Sequence, residues 1–219
     1  MNFTYSLAHL MGGIILLCGF SQVSQRRLAA MITLYQLQAL VLSAAAFWQG
    51  YAQHEVNLYL TGLITLVIKA ILLPIGLREI VLRFNLSRAV ETAMPMGLSM
   101  ILGVGLIGIS VLVVLPSTMS AVSLTREDLA IALSVVLLGL LVMTTRRNAL
   151  AQIIGFLSTE NGLVLAAIGM PGMPFVAEFS VALLVLLAFL VVGIFLFRIR
   201  EHFDTLDVTG IEEIERRGR

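Results

Sequence analysis

Leu66-Val67-Ile68-Lys69-Ala70-Ile71-Leu72-Leu73-Pro74 lies inside an apolar run of roughly 58–80 whose middle carries one charge, Lys69. A run of this length spans a bilayer as a helix, about 20 residues at 1.5 Å each. An ionised group at that depth costs at least ~2.5–3.5 kcal/mol, so it faces a bundle interior or a wet cavity and has a partner. Lys69 stands about eleven residues, roughly 16 Å, from either end of the run, too far for easy snorkelling. Pro74 has no N–H, so the carbonyl of Ala70 loses its helical donor one residue after the lysine. A kink or wet pocket beside an ammonium suits a proton relay.

Composition gives the setting. Hydrophobic residues make up 59% of the 219 and charged residues 12%, against roughly 25% charged in a soluble domain. Little is left for a soluble domain, and no nucleic-acid partner is expected. The chain reads as an all-α polytopic membrane protein in contact with lipid. Seven runs are legible, roughly 4–22, 28–50, 58–80, 94–115, 126–144, 149–170 and 174–197. Met1–Tyr5 lacks the basic region of a cleavable signal, so the first run is expected to be retained. Gln25-Arg26-Arg27, Gln53-His54-Glu55 and Pro116-Ser117 break the runs; Thr125 with Asp128 reads as a capping pair opening the fifth.

Seven spans put twelve of the thirteen arginines on one side: Arg26, Arg27, Arg78, Arg83, Arg88, Arg146, Arg147, Arg198, Arg200, Arg216, Arg217 and Arg219. Arg126 falls opposite. The positive-inside rule then puts the N-terminus outside and the C-terminus in the cytoplasm of a multi-pass inner (plasma) membrane protein.

A second charge sits mid-span in Ser158-Thr159-Glu160-Asn161-Gly162. Asn161 and the hydroxyls offer hydrogen bonds or hold water, and Gln152 lies two turns below. Glu178 is four residues into the last run. Gln36 and Gln38 either extend a hydrated path or join helices. Burial favours the neutral form of a carboxyl or amine, whereas a close opposite charge favours both ions. Whether Lys69 meets Glu160 is not written in the sequence. Gly103-Val104-Gly105-Leu106-Ile107-Gly108 matches a dinucleotide fingerprint in letters only; within an apolar span its glycines are expected to let helices approach. Cys18 is the lone cysteine, and His9, His54 and His202 lack metal-ligand spacing, so no redox centre or metal site is expected in this chain.

Arg146-Arg147-Asn148-Ala149-Leu150-Ala151-Gln152-Ile153-Ile154-Gly155-Phe156 resembles the cytoplasmic turn and helix start of the K subunit of respiratory complex I, with Asn148, Gly155 and Asn161 at matching spacing. The family's glutamate would fall at Leu157; Glu160 is nearly one turn on. Over the whole length the chain is similar to component E of hydrogenase-4 and related formate hydrogenlyases. The residues that carry this are Lys69 with Pro74, Arg147-Asn148 with Gln152-Ile153 and Gly155, Glu160-Asn161-Gly162, Glu178, and Thr205-Leu206-Asp207-Val208. The resemblance implies a four-helix portion (1–118), a K-subunit-like three-helix unit (119–200) and a short cytoplasmic tail (201–219). It implies a non-catalytic subunit of an oxidoreductase complex, beside antiporter-like membrane subunits, with the nickel–iron centre and iron–sulfur clusters in peripheral partners. Lys69, Glu160 and Glu178 would be proton or sodium relay groups, supported by Gln36, Gln38, Gln152 and Asn161. A purely structural scaffold and a multi-subunit cation/proton antiporter component are the rival readings. A retinal protein is disfavoured because its lysine belongs in the last helix.

Overall fold

The computed structural model describes residues 3–83, 90, 92–117 and 123–169. They are mostly helical, and none of them forms a named strand. α1 (Phe3–Ser24) and α2 (Leu28–Gln53) are followed by a composite span made of α3 (Val56–Ile64), a π-helical segment (Thr65–Leu72) and α4 (Leu73–Arg83). Then come α5 (Met96–Ser117), α6 (Ser123–Thr145) and α7 (Ala149–Ile168). This makes six helices long and apolar enough to cross a membrane among the described residues. The run at 174–197, the turn before it and the tail from 201 lie outside them.

α2 runs through the middle of the bundle, against α1, the composite span and α7; α6 packs on α1, α5 and α7. The described residues on either side of position 118 thus share one core, with Ile15, Leu42 and Ala46 against Ala132, Val135 and Val164.

The closest seam joins α6 to α7. A Cβ on Gly155 would stand 2.7 Å from the backbone nitrogen of Met143, and one on Gly162 would stand 2.8 Å from that of Val136. A Cβ on Gly139 would collide with the Thr159 hydroxyl. Only glycine lets two helix backbones meet this closely. The Gly103–Gly108 stretch behaves differently from expectation. Gly103 faces Phe20 and Leu138, but Gly105 and Gly108 meet nothing within 4 Å. They sit on the outward face of α5, beside Ile101, Val104 and Leu112. Positions two and five residues beyond Gly103 point away from its face of the helix, so three glycines at this spacing do not share one contact.

The turns at one end are tied together. Val90 N–H donates to Arg26 O at 2.7 Å, and Ala93 N–H donates to Thr145 O at 2.8 Å. Arg146 is buried, and its Nη2 donates to Val23 O (2.6 Å) and Gln22 O (3.3 Å) at the C-terminus of α1. Burial, then the nearby Arg26 charge, lower its pKa from the ordinary arginine value. A guanidinium nevertheless stays charged, and the carbonyl end of a helix suits it.

Asn148 opens α7 by accepting hydrogen bonds from Leu150 N (2.9 Å) and Ala151 N (3.4 Å). Asn148→Ala is expected to cost about 1 kcal/mol of stability, measurable by thermal unfolding in detergent. α6 starts at Ser123, so Thr125 lies within the helix and the expected capping pair does not form its end. Asp128 instead pairs with His9 of α1, Oδ1 to Nδ1 at 3.1 Å. The imidazole across the helix interface gives the carboxylate a use that local capping does not.

Candidate functional site

Three elements bring the charged and polar residues together. The composite span supplies Thr61, Thr65 and Lys69, at four-residue intervals and all buried. α7 supplies Ser158, Thr159, Glu160 and Asn161, also buried. α2 supplies Tyr35 and Gln38, three residues apart on one helix face and fully enclosed.

Lys69 Nζ lies 2.9 Å from Glu160 Oε1, and the two side chains are 2% and 3% exposed. The pairing left open by the sequence therefore exists, across the first and second portions of the chain. The contact is an ion pair without hydrogen-bond alignment, and Glu160 Oε2 has no hydrogen-bond partner either. Such a pair is weakly anchored, because desolvation of both ions offsets much of their attraction unless the remaining lone pairs are satisfied. Tyr35 stands within electrostatic reach of Glu160, and its hydroxyl is also unpartnered. These are unspent hydrogen-bonding groups in an apolar interior, where each is costly.

Beside the pair runs a hydrogen-bonded network in which Gln22 Oε1 and Asn161 Oδ1 stay unpartnered. Gln38 Oε1 accepts from Ser158 Oγ (2.9 Å), Asn161 Nδ2 (3.4 Å) and Gln22 Nε2 (3.4 Å). Its own Nε2 donates to Ile15 O at 3.3 Å. Gln38 therefore joins α1, α2 and α7, the helix-joining alternative of the sequence reading.

Gln36 does something else. Its Nε2 donates to Ala70 O at 3.1 Å, and its Oε1 accepts from Arg78 Nη2 at 2.9 Å. The carbonyl that Pro74 leaves without a helical donor is thus taken by a side chain from α2. Upstream of it the chain winds as a π-helix, closed by Leu73 N–H donating to Ile68 O five residues back.

Gln152 does not join the site. It is exposed and donates to Arg146 O at 2.8 Å, within the turn that starts α7. Eight residues at about 100° each leave it roughly 80° around the helix from Glu160, so two turns do not restore the face. Glu178 lies outside the described residues. Tyr35 and Gln22 were not singled out from the sequence. Tyr35 had a usable signal: it stands three positions before Gln38, so a functional Gln38 face would include it. Gln22 follows an apolar run and carries no comparable mark. Among the described residues no three His, Cys, Asp or Glu side chains converge as a metal site.

Fold and site together define an all-helical protein of membrane-spanning dimensions with an ion pair enclosed in its core. The sequence is 28% identical over 215 residues to the uncharacterized protein Rv0085 of Mycobacterium tuberculosis, and the alignment covers 97% of each chain. No protein-family model matches the chain, and no solved structure matches it.

Proposed function

We propose that this chain is a non-catalytic integral membrane subunit of a hydrogenase or formate-hydrogenlyase-type complex related to complex I, taking part in proton (or sodium) translocation. In this reading it has seven spans, an outer N-terminus and a cytoplasmic C-terminus in the inner membrane. The observation that carries it is the Lys69–Glu160 pair, 2.9 Å apart and buried. Intramembrane ionisable pairs of this kind mark ion paths. The motif resemblance supplies the complex, and the arginine bias supplies the orientation. Lys69 and Glu160 act as relay or charge-coupling groups, with Glu178 as an outer participant. Electron chemistry belongs to partner subunits.

A scaffold reading has two observations in its favour: the Gln38 network and the glycine seam both join helices. The test separates the two readings. A tagged chain is purified from native membranes in mild detergent, and its companions are identified by mass spectrometry. Nickel–iron, iron–sulfur and antiporter-like subunits are expected. The doubly neutral variant Lys69→Met with Glu160→Gln keeps no unpaired charge, so it is the variant to assemble. Its complex is expected to lose proton translocation by about tenfold or more. Wild-type translocation in an intact complex would favour the scaffold, and antiporter subunits without hydrogenase subunits would favour a cation antiporter.

A further inference from the structure

We propose that Gln36 is a positioning residue for Lys69, held in turn by Arg78. The functional consequence rests on the relay reading above; the geometry does not. Pro74 removes the donor for Ala70 O, and its ring crowds that carbonyl. Ala70 directly follows Lys69, so the peptide that fixes the direction of the lysine is the one the helix cannot hold by itself. Gln36 Nε2 holds it from α2 at 3.1 Å.

The π winding makes that hold matter. A π segment is an α-helix carrying an extra residue in its turn. Straightening it would rotate Lys69 by about 100° against the helix beyond, with a shift of about 1.5 Å. Either motion takes Nζ off Glu160. Thr61, Thr65 and Lys69, at four-residue intervals, are buried along one side of the span.

Gln36 is itself held at its other end. Arg78 Nη2 donates to Gln36 Oε1 at 2.9 Å and to Thr33 Oγ1 at 3.4 Å, on the exposed side of the helices. An amide flipped the other way would set its oxygen against Ala70 O and its NH2 against a guanidinium. Arg78 therefore selects the orientation in which Gln36 donates to the carbonyl. A hydrogen-bonded string runs from an exposed arginine to the peptide that follows Lys69.

The test is a double-mutant cycle on the full-length chain in its native complex, read by thermal unfolding. Gln36→Leu removes both bonds, and Gln36→Glu keeps the acceptor for Arg78 but removes the donor for Ala70 O. Both are expected to lower the midpoint in the wild-type background by at least about twice the shift seen in the Lys69→Met/Glu160→Gln background, because the residue that Gln36 positions no longer has a partner there. Arg78→Lys keeps a donor for Gln36 and is expected to behave as wild type. Equal shifts in the two backgrounds would overturn the positioning role, whatever translocation does. A full coupling signal would support it even if the doubly neutral complex translocates normally, in which case the relay reading alone fails.

Discussion

Glu160→Gln alone, or Lys69→Met alone, is expected to destabilise the chain by about 3–5 kcal/mol, while the double neutral variant recovers most of that loss. The reason is the asymmetry of buried ion pairs. Two enclosed charges nearly cancel their own desolvation, but removing one leaves the other uncompensated. Both side chains are at most 3% exposed, so water does not screen the survivor. The Gln38 oxygen does not replace the lost partner, because it already accepts from Ser158, Asn161 and Gln22. The measurement is denaturant or thermal unfolding of the four chains side by side in one detergent. Single variants no less stable than the double variant would mean that the two groups do not hold opposite charges in the folded state. The comparison requires no knowledge of partners, so it stands apart from the functional proposal.

Gly155→Val is expected to do at least as much damage by a different route. Its Cβ would stand 2.7 Å from Met143 N and 2.9 Å from Gly139 O, both backbone atoms that cannot swing aside. Overpacking commonly costs about 1–3 kcal/mol when side chains yield. Here a whole helix must move, so about 3 kcal/mol or more is expected, with loss of folded yield. Gly105→Val is the internal control. A Cβ there meets nothing within 4 Å, and an exposed apolar substitution on α5 should change stability by no more than about 0.5 kcal/mol. Comparable behaviour of the two variants in size-exclusion and thermal unfolding would remove the seam as the feature that joins α6 to α7.

Much of the architecture was legible because apolar run length is a strong signal. The six described spans match the sequence reading to within a few residues, and the breaks at Gln25–Arg27 and Gln53–Glu55 fall where charge and amides interrupt the runs. The unusual backbone around Pro74 was legible from one missing N–H. What replaced that N–H was not, because Gln36 is thirty-four positions away and nothing local distinguishes it from a packing amide. The same holds for Lys69 and Glu160. Each residue's cost pointed to a partner, but the identity of that partner depends on how α2 lies between the two helices. Gln152 shows the opposite failure: a local periodicity argument without its angular remainder put it on the wrong face. The glycines of α5 matched a familiar spacing yet face outward, while Gly139, Gly155 and Gly162, which do the packing, match no named motif.

The Lys69–Glu160 contact also sets a schedule. The ribosome delivers the lysine about 90 residues before the glutamate, which at about 5–20 residues per second is an interval of roughly 5–18 s. For that time the third span is expected to wait with its ammonium unanswered, at a cost of about 2.5–3.5 kcal/mol in a bilayer. Arrival of α7 ends the wait. Biogenesis of this chain is therefore expected to have a late step, in which the sixth span releases the third from whatever sheltered it, and a nascent chain truncated before Glu160 should be retained by the insertase or degraded.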